Sequence, residues 1–229
     1  MDKLINEIKC KLNDFSISDV LCKPLNYSNP KHKNRYGYII MSENRACRYY
    51  YCERIKDEKE RTANKLTIIM FNPSVADEYK PDRTITNTYK IVKEYTNYKC
   101  FEIFNIFNIR DKNPVCTKEA SVNQNIELLR ELLNIEKNEY ILLAWGNLLN
   151  NEFKKLKIKQ DLKQKLYNIF VNNRLHLYAC SINSNNPTHL CPMNNKYFYK
   201  TLNNVSIKRE NGLPQIDIDE FLNVSFSKR

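Results

Sequence analysis

Leu66-Thr67-Ile68-Ile69-Met70-Phe71-Asn72-Pro73-Ser74 is the stretch from which this chain is read. Leu66 to Phe71 carries no charge and is apolar but for one threonine, the mark of a strand buried on both faces. Asn-Pro then turns the chain, because proline has no N–H with which to continue a ladder. Downstream, Ile85, Tyr89 and Val92 recur at helical spacing. Phe101 to Phe107 is a second strand, and Val122, Ile126, Leu129 and Leu133 form a second helical stripe. Tyr140 to Trp145 is a third strand, Leu148 to Phe170 a long helical segment with a lysine-rich outer face, and Leu175 to Cys180 a fourth strand. This alternation argues for a parallel sheet with helices on both faces.

Upstream of the deciding strand, Tyr36 to Met41 and Cys47 to Arg54 flank Ser42-Glu43-Asn44 and read as a hairpin. Lys56 to Arg61 reads as a solvated charged loop. Leu4, Ile5, Ile8 and Leu12 recur at helical spacing before Pro24 and Pro30 break the pattern. The expected fold class is therefore α/β and three-layered, with a central four-stranded parallel sheet, helices on both faces, and an added N-terminal hairpin. The expected organisation is a helical extension over 1–35, an α/β domain over 36–200 and a C-terminal extension over 201–229, in which Ile216 to Leu222 is the best candidate for an added element.

Composition narrows the function classes. A length of 229 residues suits one domain with a sizeable core. No apolar run reaches about 18 residues, so no membrane span is read. Met1-Asp2-Lys3-Leu4 has no signal-peptide layout, so a cytoplasmic protein is expected; a monomer is the expected state. The net charge of +11 favours phosphate-rich partners, DNA first, through counterion release. Coding bias toward lysine and asparagine produces the same balance without any function. Only 3 glycines occur and none forms a phosphate loop, which argues against dinucleotide and P-loop chemistry. Cys10, Cys22, Cys47, Cys52, Cys100, Cys116, Cys180 and Cys191 include no Cys-x-x-Cys pair. Zinc-site spacing is missing, and scattered cysteines at no ligand spacing argue against an iron–sulfur cluster. Neither metal nor cofactor is expected, and the thiols read as small buried hydrophobes.

In open α/β sheets ligands bind beyond the carboxyl ends of the strands, and the polar residues of this chain gather there. The first strand ends in Asn72-Pro73-Ser74-Val75-Ala76-Asp77, the second in Asn105 running on to Arg110. The third ends in Trp145-Gly146-Asn147, and the fourth is followed by Asn183 and then Pro187-Thr188-His189. Loops are polar anyway, so one or two such ends would mean little. Four, with one of only 3 histidines among them, point to an active site.

These motifs, with Asp82-Arg83-Thr84 and Ala144-Trp145-Gly146, resemble a prokaryotic and phage domain family of unknown function over about residues 45 to 195. They also resemble the uracil-DNA glycosylase superfamily. Asn72-Pro73-Ser74 falls where that superfamily has Asn-Pro-Gly or Asp-Pro-Tyr. Asn105 and Arg110 fall where it has a base-reading asparagine and a following arginine. His189 falls in the place of its His-Pro-Ser loop. This chain departs in having Phe71 before the first motif, and Leu190 and Cys191 after His189.

The resemblance implies a monofunctional DNA glycosylase that hydrolyses the N-glycosidic bond of a flipped, modified base, as in antiviral defence. Asn72 would hold the attacking water, since the oxocarbenium-like state needs a polar acceptor on one face of the sugar. The plain alternative is that Asn-Pro only turns the chain. Asp77 is the favoured general base; Asp82 is the other carboxylate, with helix N-capping as its competing role. His189 would donate to the departing base. Asn105 and Asn183 would read the base edge, and Phe71 would stack on it, against the alternative of core packing. Trp145 and Phe107 read as core. Ser74, Arg110 and Arg45 are candidates for DNA phosphates, while Lys154 to Lys165 reads as a solvated helix face. Two other classes stay open: a nucleotide- or nucleoside-processing enzyme on the same fold, and a non-catalytic nucleic-acid-binding module.

Overall fold

The computed structural model describes residues 2–32, 35–55, 65–96, 98–110, 119–135, 140–146, 165–166, 168–169, 176–178, 182–183, 186–187, 189–190, 209–210 and 213–214. Helix α1 spans Asp2–Asp14. Strands β1 (Val20–Pro24), β2 (Tyr36–Ser42), β3 (Arg48–Arg54) and β4 (Lys65–Met70) follow. Then come α2 (Arg83–Tyr95), β5 (Cys100–Asn105), α3 (Glu119–Ile135), β6 (Tyr140–Leu143) and β7 (His176–Tyr178). Two short ribbons, β8 (Ile182–Asn183) with β9 (Asn186–Pro187) and β10 (Arg209–Glu210) with β11 (Leu213–Pro214), and one 3-10 turn, Pro30–His32, complete the described elements. The long helical reading over Leu148 to Phe170 falls largely outside the described residues, and the one over Ile216 to Leu222 wholly so.

The main sheet has seven strands in the order β1-β2-β3-β5-β4-β6-β7. It is mixed. Strands β1, β2, β3 and β5 pair antiparallel in succession, and β5, β4, β6 and β7 pair parallel. This corrects the expectation of a central four-stranded parallel sheet with a separate hairpin. The hairpin is not an addition: β3 zips onto β5 from Tyr51↔Ile103 to Arg54↔Cys100, so the antiparallel strands continue the same sheet. The physical reason lies in β3 itself. Arg48-Tyr49-Tyr50-Tyr51-Cys52-Glu53 has polar tips, yet these residues are all buried. Several of the tips find partners inside: Tyr50 Oη donates to Glu102 at 2.9 Å, and Glu53 pairs with Arg35 and accepts from Tyr51. Residues 1–35, read as a peripheral extension, give the sheet its first strand and place Ile8 and Leu12 at zero exposure.

Alternation along the strands sorts two cores. Ile69, Phe71, Phe104, Phe107, Ile40 and Tyr50 face α1 and α3, where Ile8, Leu12, Ile126 and Leu129 meet them. Leu66, Ile68, Met70, Phe101, Ile103, Ile39 and Tyr51 face α2, against Ile85, Ile91 and Val92. Each such side chain, fully buried, stabilises the fold by roughly 1.5–3 kcal/mol before entropy is counted. The chain leaves β4 for β5 on one side by way of α2, then passes α3 on the opposite face to reach β6 on β4's other side. Such a reversal of direction opens a crevice outside the carboxyl ends of β4 and β6.

Candidate functional site

The loop from Asn72 to Asp82 forms one wall of that crevice. Two arginines hold it. Arg110 donates from Nη1 to the Arg45 carbonyl at 2.9 Å, and from Nη2 to the carbonyls of Val75 at 2.8 Å and Ala76 at 3.1 Å. Arg45 forms a bidentate pair with the buried Glu78. Both arginines were candidates for DNA phosphates; both are half-exposed and are paired with groups of the chain itself. Asp77, the favoured general base, accepts the amide N–H of Tyr79 and of Lys80, each at 2.9 Å, and so closes a turn. Asn72 is half-buried, and its Nδ2 donates to the Pro73 carbonyl at 3.0 Å. Ser74 is half-buried in the middle of the loop.

Three further polar residues follow strand ends: Asn105 is buried, and Asp82 and His189 are half-buried. Asn105 ends β5 at 2 % exposure, and neither its Nδ2 nor its Oδ1 has a hydrogen-bond partner among the described residues. It follows Phe101 and Ile103 at alternate positions, so it lies on the α2 face of the sheet. Asp82 caps α2, accepting the Ile85 N–H at 2.8 Å, as the competing reading anticipated. Its carboxylate also acts electrostatically on two further groups, Arg48 and His189. Burial lowers the pKa of His189 below the ordinary histidine value, and Asp82 opposes that shift. The ring is therefore neutral at neutral pH and donates from one nitrogen only.

His189 sits on Gly146. A methyl group built on Gly146 would come within 3.0 Å of the His189 Cβ, and Gly146 itself has a φ of +67°. Glycine is thus required there twice, by backbone conformation and by close approach. This contact joins the Ala-Trp-Gly and Pro-Thr-His motifs in space. Trp145 lies 2 % exposed in the core beneath α1 and α3.

Of the residues expected at the site, His189 feels the Asp82 carboxylate rather than that of Asp77, and Asn105 ends β5. Phe71 does not join them. It has zero exposure in the core under α1 and α3, edge-on to Phe107 at 4.9 Å, on the other face of the sheet from Asn105. Stacking on a ligand at the Asn105 face is closed to it, because a one-residue step along a strand reverses the side chain. Asn183 contributes its backbone to the ribbon with Asn186; its side chain lies outside the described residues. Arg48 was missed. A lone arginine beside three tyrosines reads as a strand-surface residue, and only the pairing of β3 with β5 buries it.

Among the described residues no helix is long and apolar enough to cross a membrane, and no cluster of three or more His, Cys, Asp or Glu side chains is placed to hold a metal ion. No curated protein and no solved structure matches the chain. One family model does, over residues 48–190, a span that begins at Arg48 and ends just past His189. That match covers more than half of the chain and all the rim residues described above, and the chain belongs to the family described as "Protein of unknown function (DUF1643)".

Proposed function

We propose that the chain is a monofunctional DNA glycosylase that takes a base extruded from DNA into the carboxyl rim and hydrolyses its N-glycosidic bond, leaving an abasic site. The observation that carries this reading is the Asn105 amide, buried and unpartnered among the described residues. An unpaired buried donor or acceptor costs about 1–3 kcal/mol, so a ligand edge presenting one acceptor and one donor would recover it. A nucleobase edge presents that pattern. Neutral His189 donates to the departing base, and Asp82 draws the proton from the attacking water that Asn72 orients. The +11 charge supplies the attraction for the phosphate backbone. A modified base of the kind phage DNA carries is the proposed target, and its removal would serve antiviral defence.

The test is single-turnover base release from DNAs containing uracil, hydroxymethylated or glucosylated cytosine, followed by alkali to reveal abasic sites. Release from at least one is expected. His189→Ala should slow it by about 10²-fold or more while leaving DNA affinity within a few-fold. Salt-sensitive DNA binding without release from any substrate would replace the enzyme with a binding module. A binding constant indifferent to salt would point to a free nucleotide or nucleoside instead.

A further inference from the structure

Arg48 is only 2 % exposed, and its Nε and Nη1 have no hydrogen-bond partner among the described residues. Local geometry aims it at the rim. The register between β2 and β3 passes from Ile40↔Tyr50 to Met41↔Arg48, which leaves Tyr49 as an extra residue. Strict alternation would put Arg48 on the face of Tyr50, under α1 and α3. The bulge puts Tyr49 and Tyr50 on that face together and returns Arg48 to the face of Met41 and Tyr51, toward α2.

There the guanidinium carbon lies 5.5 Å from the Tyr51 ring centroid. The Arg48 N–H donates to the Asn108 carbonyl at 2.8 Å, so its backbone runs beside the end of β5 that carries Asn105. Its charged and titratable neighbours are Asp82 from the cap of α2, Tyr51 from β3, Arg110 beyond β5, and Tyr27. Asp82 also acts on His189, which ties Arg48 to the same rim. A buried cation with unused donors is costly to the fold unless something binds it.

We infer that Arg48 and Asn105 form one donor-rich subsite for an anionic heterocyclic ring, in which Arg48 takes the negative charge a base carries as it leaves its sugar. The role in turnover rests on the glycosidic reading above; the binding of the ring does not. In the step, the bond from the sugar carbon to the ring nitrogen breaks and its electron pair stays on the ring beside Arg48. The water oxygen bonds the sugar carbon, its proton passes to Asp82, and Asp82 returns that proton to the anionic ring by way of solvent before release. A cation placed where charge develops acts more on the transition state than on the bound substrate.

The experiment compares 5-fluorouracil with uracil as free ligands of the full chain at mildly alkaline pH, where the fluorinated ring is the more ionised, by calorimetry. Wild type should prefer 5-fluorouracil by about tenfold, since the ionised ring makes charge-assisted hydrogen bonds. Arg48→Met should bring the two within about twofold while keeping or raising Tm, because an apolar chain of similar volume removes a buried unpaired charge. Arg48→Lys, which keeps the charge, should retain part of the preference. Equal preference in wild type and Arg48→Met would overturn the inference, as would no affinity of wild type for either ring. An Arg48-dependent preference in a protein that releases no base from DNA would defeat the glycosidic function and leave the subsite standing. Base release at an unchanged rate in Arg48→Met would do the reverse.

Discussion

Replacing Gly146 by alanine probes the junction on which the rim is built. At φ +67° an alanine pays for the left-handed conformation, about 1–2 kcal/mol. Its new methyl would also meet the His189 Cβ at 3.0 Å, so one of the two backbones must shift by a few tenths of an ångström. Together these amount to roughly 2 kcal/mol, which for a chain of this size lowers Tm by about 4–8 °C. Thermal unfolding followed by circular dichroism reads the loss. Gly146→Ala combined with His189→Gly removes the contacted Cβ and leaves only the backbone strain, so the double variant should lose less stability than the sum of the two single variants. Additive losses would show that Gly146 and His189 do not touch, and an unchanged Tm in Gly146→Ala would refute the strained conformation as well.

Two further outcomes follow from the same geometry. The folded-state pKa of His189 lies below its ordinary value of 6.5. The unfolded chain therefore binds the proton first, and the contribution of His189 to stability is fully present above about 6.5 and declines as pH falls toward the folded value. His32 is shifted in the same direction, so the reading is the difference between wild type and His189→Gln, whose stability should fall less over that window in urea titrations. Arg110→Met removes the hydrogen bonds to the carbonyls of Arg45, Val75 and Ala76 and should cost about 1–3 kcal/mol of stability. Because the guanidinium is already engaged by three backbone carbonyls of the chain, the salt dependence of DNA binding should keep its slope; a slope reduced by about one would return Arg110 to the phosphates.

Strand and helix identity was legible because it is carried by local periodicity. Leu66 to Phe71 lies within or directly after β4, and the stripe Ile85, Tyr89, Val92 lies on α2. Polar residues beyond strand ends were legible by rule: Asn105 closes β5, and His189 lies against Gly146 just past β6. Asp77 and Asp82 could not be told apart by position. Both sit in turn-rich sequence, and the difference is that Asp77 is spent on the Tyr79 and Lys80 amides while Asp82 also faces Arg48 and His189.

What the amino-acid order determined alone is therefore the segments of β2 to β7 and of α1 to α3, though not β1, together with where the polar loops fall and that the molecule is basic. These depend on neighbours a few residues apart and on composition. The partner of each strand edge, the face to which each side chain turns, and the occupation of each buried polar group were decided only in three dimensions. Backbone edges are alike chemically, so β5 accepts β3 as readily as another parallel strand, and the choice follows from which pairing buries three tyrosines and sets the Tyr50 hydroxyl on Glu102. One extra residue at Tyr49 reverses the face of Arg48, and no pattern of hydrophobicity announces it. The pairing of Arg110 with backbone carbonyls, and the lack of any partner for the Asn105 amide among the described residues, are likewise outcomes of packing between segments distant in the chain.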